Sequence, residues 1–484
     1  MTPGDGSGDA EQRGRAPRPH AELPDGLLGW LELSSPRRLV LTLAIAASAL
    51  FATWLVPDDA GLGVDGRRSL FVLLLAAGLW LTEAMPAFAV GLLVIGLQVL
   101  LLGDPAGAEP DWERHVLVLG HPLIWLFFGG LVLAAGMRGT GIDRWLATRV
   151  LTRFARSPRH LVTAVAGMSF LLSMLMSNTA TTAMMLALVA PLIASRPVDD
   201  RLASTLVLAV PVGANLGGMG SLVGSPPNAI AAGMVGEQLG IHLSFARWFL
   251  IGLPPALVLA AVLIGLLLWR LGPQEPGAAP SPAALVAGAD PRASHWSILT
   301  VAATLAVTLG LWLTQDLHGL PTPVVAVVPV VLLTATGILG TEAFRGLSWD
   351  VLLLMAGGLA LGQAVHETGL AAWLVGGLPL DGLSPILFAM LAGAATLVLS
   401  NTMSNTAAAN VLVPLVLSAV AAPAPALTVA LCASAAMALP VATPPNALAH
   451  ASGRLHARDF LLVGLVSAVL APPLMALWTA FVVA

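Results

Sequence analysis

The residues of this sequence best suited to chemistry carry no charge. Ser173-Met174-Leu175-Met176-Ser177-Asn178-Thr179-Ala180 and Ser400-Asn401-Thr402-Met403-Ser404-Asn405-Thr406-Ala407 both read S-x-x-M-S-N-T-A, and each copy interrupts a long apolar run. Their hydroxyls and amides supply oxygen ligands and N–H donors. A second signal follows each copy: GGMGSLVGSPPN at 217–228 and ATPPN at 442–446. Gly and Pro at such positions free backbone carbonyls, as in the broken helices of transporters. Ser and Asn oxygens joined by those carbonyls form a hard-oxygen cage suited to Na⁺. Helix N-termini that start at a tip or a break present N–H groups and positive partial charge to an anion. One S-N-T alone is more often a packing or hydrogen-bonding feature between membrane helices. Its duplication, with P-P-N after each copy, argues instead for two halves of one solute site.

These motifs sit in a strongly apolar chain. Of 484 residues 57% are hydrophobic and only 10% charged, against about 25% charged in an ordinary soluble domain, and the mean hydropathy is +0.88. The expected fold class is therefore an all-α polytopic membrane protein. A formal charge of −4 gives no reason to expect nucleic acid, and the single Cys432 excludes an intrachain disulfide. Residues 1–36, rich in Gly, Pro, Asp and Arg, are expected to be a disordered cytoplasmic tail. They hold no signal-peptide core, so the first membrane helix is expected to act as the uncleaved targeting signal.

Apolar runs of spanning length lie near 39–56, 68–82, 86–103 and 119–137. The next segment, 138–160, carries Arg138, Arg144, Arg149, Arg153, Arg156 and Arg159, which marks the cytoplasmic side. Arg37 and Arg38 before the first span agree with a cytoplasmic N-terminus. Residues 161–194 are apolar, are broken by the first S-N-T, and suit a re-entrant hairpin with its tip at 177–179. A broken helix follows at 202–240, then a span at 248–270. A Pro/Ala/Gly linker, 271–294, separates the halves.

The second half repeats the plan. Spans are expected near 296–314, 323–340 and 350–366, with an amphipathic piece at 369–378. A hairpin at 384–420, a broken helix at 427–452 and a last span at 460–482 complete it. Gly129-Gly130 pairs with Gly357-Gly358, Thr140-Gly141 with Thr368-Gly369, Ser177 with Ser404, and Asn228 with Asn446, in the same order. The segment 366–383 holds no Arg, unlike its Arg-rich counterpart, which places the copies on opposite sides. The repeats, 37–270 and 295–484, are thus expected to be inverted, the arrangement that supports alternating access around a midplane site. The protein is expected in the cell (inner) membrane, with its C-terminus outside.

Other residues have plainer explanations. The Gly pairs suit close helix packing, and His121, His160 and His366 suit interfacial positions better than proton relays. Glu83 suits a solvated turn. No Arg lies inside an apolar span, Arg68 and Arg270 standing at span ends. An anionic substrate would be held by dipoles, hydroxyls, amides and co-bound cations, which makes cation coupling a physical requirement.

The paired S-N-T motifs, G-S-P-P-N at 224–228 and P-V-A-T-P-P-N at 440–446 resemble those of the divalent anion–sodium symporters, carriers of dicarboxylates, citrate or sulfate. The resemblance covers the chain from about residue 37 onward. It implies a homodimer in the lipid bilayer, each protomer with about eleven spans and two re-entrant hairpins, working as an elevator-type transporter. It further implies one Na⁺ site at Ser173, Ser177, Asn178 and Gly224 and another at Ser400, Ser404, Asn405 and Ala442. Substrate carboxylates would meet Asn178, Thr179, Asn405, Thr406, Thr443 and Pro444. Ser225 stands where the family more often has Thr. The second tip reads S-N-T-M-S-N-T, so its register could be 400–402, although the shared octapeptide favours 404–406.

The function expected is uptake of a small C4-type dicarboxylate anion (the succinate, malate and fumarate class) with Na⁺, two or more ions being transported. A dicarboxylate antiporter or a sulfate or tricarboxylate carrier would share the substrate motifs. A membrane-embedded enzyme would need a nucleophile with a base, or metal ligands inside the spans, and no such constellation is found. A channel fits poorly with inverted repeats and broken helices.

Overall fold

A computed structural model describes residues 36–57, 59–107, 110–155, 157–194, 196–273, 293–377 and 382–483. The tail up to residue 35, residues 274–292 of the linker and Arg156 lie outside the described residues. Among the described residues the chain is all helix and turn, with no strand. The first half runs α1 (Pro36–Trp54), α2 (Val64–Thr82), α3 (Ala87–Leu101), α4 (Pro122–Thr140) and the Arg-rich α5 (Ile142–Phe154). It continues with α6 (Pro158–Ser173), α7 (Asn178–Ile193), α8 (Arg201–Gly217), α9 (Pro226–Leu239) and α10 (Phe245–Leu271). The second half holds α11 (His295–Leu313), α12 (Val327–Ala335), α13 (Trp349–Glu367), α14 (Leu370–Gly376) and α15 (Pro385–Ser400). It ends with α16 (Asn405–Ala419), α17 (Pro423–Ala435), α18 (Pro444–Ala451) and α19 (Ala457–Val483).

Among the described residues, 6 helical stretches are long and apolar enough to cross a membrane by themselves. Shorter apolar helices, among them α3, α7, α15, α16 and α17, accompany them. Where the sequence suggests one span over 323–340, the chain forms a short helix, Thr322–Val325, and then α12. Pro329 lacks the N–H that would reach the Val325 carbonyl, so the ladder has a gap there. Beside the joint, the Ala326 carbonyl approaches α4 so closely that a Cβ on Gly129 would lie 2.3 Å from it.

Two apolar cores hold the helices together. The smaller joins α2 and α3 to α13, α14 and the first turn of α16 through Leu79, Val90, Leu361, Leu370 and Ala407. The larger is built around α8, which is buried along its whole apolar length. Such depth needs small side chains, because helices in an apolar medium gain by close van der Waals packing rather than by burial from water. Gly213 and Gly217 provide it, one turn apart. A Cβ on either would lie 2.1 Å from a backbone oxygen of α6, that of Ala166 or Phe170 respectively. The seam fixes α8 against the arm that carries the first S-N-T.

Replacing Gly213 with Val should therefore overpack this seam and cost about 1–3 kcal/mol or more. Thermal unfolding of the purified protein in detergent checks this: the variant should melt below the wild type, whereas Gly139→Ala, at a glycine with open space around it, should not.

Candidate functional site

Each S-N-T lies where one helix stops and another starts. α6 ends at Ser173, and α7 begins at Asn178 behind Ser177, whose extended backbone (φ −61°, ψ 142°) makes it the N-cap. Its hydroxyl accepts from the Ala180 N–H at 3.2 Å. Ser404 does the same for α16, accepting from the Ala407 N–H at 3.2 Å. Serine is favoured here because its oxygen satisfies a first-turn N–H that has no partner within the helix.

The two breaks follow a related plan. α8 gives way to a short 3₁₀ turn, Gly218–Gly220, and α9 starts at Pro226 behind Ser225. α17 stops at Ala435, earlier than the break expected at 442–446, and α18 starts at Pro444 behind Thr443. Both proline pairs therefore open helices rather than interrupt them, which suits residues that lack an N–H. The asparagine after each pair braces the broken chain. Asn228 Nδ2 donates to the Gly218 and Ser221 carbonyls at 2.8 and 2.7 Å. Asn446 Nδ2 donates to the Met437 and Leu439 carbonyls at 3.1 and 2.9 Å. Four carbonyls freed by the breaks thus already have amide partners.

α7, α9, α16 and α18 all begin at one cavity of about 200 Å³, lined by Asn178, Pro226, Asn405 and Pro444 from their first positions. Ser177, Thr179, Gly224, Ser404, Thr406 and Thr443 line it too. Among the described residues, no Asp, Glu, Arg or His lines it. The other residues named from the sequence, Ser173, Ser400 and Ala442, are not among its lining residues. Ser173 is fully buried and its hydroxyl donates to Asn178 Oδ1 at 2.6 Å. Ser400 is fully buried, and its Oγ has no partner among the described residues, nor does Asn405 Oδ1. Ala442 is buried inside the second break, its N–H donating to the Leu439 carbonyl at 3.1 Å.

Close backbone approach assembles the first tip and break. A Cβ on Gly218 would stand 2.7 Å from Asn178 Oδ1, and one on Gly224 would stand 2.7 Å from the Gly218 carbonyl oxygen. Asn178 Oδ1, the Gly218 carbonyl and Gly224 are therefore neighbours, a set of hard oxygens beside the cavity. In the second half the competing register has a different job. Asn401 donates from Nδ2 to the Leu397 carbonyl at 2.8 Å and accepts from the Ala438 N–H at 2.9 Å. It ties the end of α15 to the second break, while Ser404, Asn405 and Thr406 face the cavity.

Some lining residues carry no motif. Asn215, on α8, contributes an amide. It is the only amide residue in the apolar run of that helix, a signal available in the sequence. Ser348 and Val351, at the start of α13, and Phe127, Gly130 and Leu131 of α4 line it as well. Nothing in the sequence marks Ser348, because only the tertiary fold brings α13 here. His121 lies elsewhere: its Nδ1 accepts from the Leu123 N–H at 3.2 Å, and its Nε2 meets Glu237 Oε1 at 2.8 Å. Glu83 is an exposed helix C-cap, as its turn context suggests.

Comparison with known proteins finds related transporters. The model of a family described as citrate transporter matches residues 71–431. The sodium-dependent dicarboxylate transporter SdcS of Staphylococcus saprophyticus is 29% identical over 443 residues, covering 84% of this chain and 84% of that protein. A transporter of Haemophilus influenzae described as uncharacterized is 30% identical over 420 residues, covering 82% of this chain and 88% of that one. Among solved structures, the YdaH transporter of Alcanivorax borkumensis aligns with 82% of this chain and 98% of its own, at 15% identity and a TM-score of 0.48.

The bracing amides have a measurable consequence. Asn446→Ala leaves the Met437 and Leu439 carbonyls without their donor, and each buried unsatisfied group costs about 1–3 kcal/mol. Denaturation of the purified variant should show a loss in that range or above. Stability equal to wild type would contradict the bracing role.

Proposed function

The chain belongs to the citrate transporter family, and from that premise we propose that it couples Na⁺ influx to uptake of a C4-type dicarboxylate. The observation that carries this proposal is the convergence of four helix N-termini on a cavity lined, among the described residues, by no charged side chain. Each N-terminus carries roughly half a positive charge, so together they suit a dianion. A volume of about 200 Å³ lies below the roughly 300–1,000 Å³ of pockets for drug-sized ligands. A small solute fits that size.

The N-termini are not equal as donors. α9 and α18 each open with two prolines, so their first two positions offer no N–H. Direct hydrogen bonds to a carboxylate then fall to the first N–H groups of α7 and α16 and to the side chains of Asn178, Thr179, Asn405, Thr406 and Thr443. Pro444 contributes shape and contact. Cation coupling has its own support. Ser400 Oγ and Asn405 Oδ1 are buried and unpartnered among the described residues, and acceptors of that kind favour a cation. We assign Na⁺ to the oxygens about Ser173, Ser177, Asn178 and Gly224 and about Ser400, Ser404, Asn405 and Ala442. In the first set, the bond between Ser173 and Asn178 would open to admit the ion.

The remainder of the scheme is alternating access by two inverted repeats, 37–270 and 295–484, moving elevator-fashion in a homodimer. One tie between the halves supports the proposed sidedness. Arg454, after the second break, donates to the carbonyls of Ile193, Arg196 and Pro197 at 3.0, 3.0 and 2.7 Å. The end of α7 and the end of α18 therefore share one face, the cytoplasmic one in this scheme. A tricarboxylate cargo is the second reading, favoured by the description of the matching family. The sodium-dependent dicarboxylate relative favours the first.

Uptake of labelled succinate into proteoliposomes, with an inward Na⁺ gradient, an inward K⁺ gradient or none, tests the scheme. Only the Na⁺ gradient should drive accumulation, and unlabelled succinate should compete better than citrate or sulfate. Stronger competition by citrate would favour the second reading. Accumulation that ignores Na⁺ would remove the coupling. Asn178→Ala and Asn405→Ala should each abolish uptake while melting within a few degrees of wild type. Transport at the wild-type rate by either variant would refute the site.

A further inference from the structure

The two breaks are joined across the molecule by reciprocal hydrogen bonds. Asn215, on the helix before the first break, donates from Nδ2 to Thr443 Oγ1 and to Asn446 Oδ1 at the second, both at 3.2 Å. Ser434, on the helix before the second break, donates to Ser225 Oγ at the first, at 3.1 Å. Both donors are fully buried. Each therefore reaches, from its own half, the N-cap residue of the other half's second helix.

The direction of the Asn215 bonds follows from counting donors and acceptors. The Asn446 amide nitrogen faces the carbonyls of Met437 and Leu439, so its oxygen must face Asn215. Two amide oxygens cannot pair, hence Asn215 presents its nitrogen. That nitrogen also donates to Thr443 Oγ1, which accepts a second bond from the Asn446 N–H at 3.3 Å. A hydroxyl has two acceptor lone pairs and one proton. With both lone pairs of Thr443 engaged, its proton is the only polar feature left to offer. Thr443 and Asn215 both line the cavity.

We propose that Asn215 is a positioning residue that fixes the Thr443 hydroxyl as a donor aimed into the cavity, and so selects an anion there over a cation or a neutral acceptor-poor solute. The assignment rests on the proposed anion site. Ser434 performs the same service for Ser225 less firmly, because a hydroxyl pair can reverse its direction whereas the Asn215 amide is held by Asn446. The role differs from that of the tip asparagines. Asn215 Nδ2 is occupied by Thr443 and Asn446 and acts through them, while Asn215 Oδ1 has no partner among the described residues.

The test is a double-mutant cycle on the full-length protein in detergent. Binding of labelled succinate is measured at saturating Na⁺, together with the Na⁺ concentration for half-maximal binding. Asn215→Leu should weaken succinate binding about tenfold or more, the scale of one lost hydrogen bond to a charged group, and shift the Na⁺ dependence less than twofold. In the Thr443→Val background, where no hydroxyl remains to be oriented, the same change should cost less than twofold. In the Thr443→Ser background the full loss should return. Asn215→Asp keeps the shape but accepts where the amide donates, so it turns the hydroxyl proton away from the cavity. It should lose at least as much affinity as Asn215→Leu, and it carries the test should that variant not fold. Equal losses in the wild-type and Thr443→Val backgrounds, or binding as tight as wild type, would overturn the positioning role. If the wild type binds none of succinate, citrate and sulfate, the anion site itself falls and the inference with it. If the wild type binds one of them and both Asn215 variants bind it equally well, the inference alone falls.

Discussion

A helix that stops inside an apolar body leaves backbone carbonyls and N–H groups that no water can satisfy, and each such group is costly. The chain stops helices in this way at two tips and two breaks. Most of what is distinctive about its sequence answers that constraint. Ser177 and Ser404 occupy first-turn N–H groups of α7 and α16. Asn228 and Asn446 occupy carbonyls released at the breaks. Asn401 joins a tip to a break by serving as donor and acceptor together. Pro226, Pro227, Pro444 and Pro445 remove N–H groups that would otherwise need partners.

What remains after this accounting defines the site. The helix starts that are left open converge where Asn178, Pro226, Asn405 and Pro444 meet, and their dipoles point positive ends at one small volume. Glycine and apolar side chains of α4, with Ser348 and Val351 of α13, complete its lining. In the proposed scheme charge selectivity thus arises from backbone geometry rather than from ionised groups. An arginine at the same place would bind an anion more tightly, but it would carry a permanent charge through an apolar medium whenever the site emptied. Dipoles and movable cations avoid that cost.

Much of this is legible in the sequence, because the signals are local. Paired octapeptides, proline pairs and apolar run lengths mark the regions that hold α6 to α9 and α15 to α18, although the proline pairs open helices where the sequence suggests they lie inside breaks. Three things are not legible. The second break begins at 436, eight residues before its prolines, since Ala435 and Ala436 carry no helix-ending signal. The expectation that the freed carbonyls stand open as ligands misses the bracing asparagines, whose partners lie 7 to 10 residues away across a bend that periodicity does not describe. The register of the second tip is ambiguous because Asn401 and Asn405 share the same local sequence. The shared octapeptide favours 404–406, and the position of Ala438 against Asn401 shows what the other amide does instead.

The two halves are alike without being equivalent. Ser173 and Asn178 bond to each other, whereas Ser400 Oγ and Asn405 Oδ1 are both unpartnered among the described residues. Thr443 caps its helix through its side chain, whereas Ser225 makes no side-chain cap bond and accepts from Ser434 instead. In the proposed scheme a solute with two like ends would therefore meet two unlike receptions, one at a hydroxyl held from two sides and one at a hydroxyl held from one. Under the proposed assignment, an ion at the first set would displace the hydrogen bond between Ser173 and Asn178, and an ion at the second would satisfy the unpartnered Ser400 Oγ and Asn405 Oδ1. The repeated motifs supply the frame, and the few side chains that depart from symmetry distinguish its two ends.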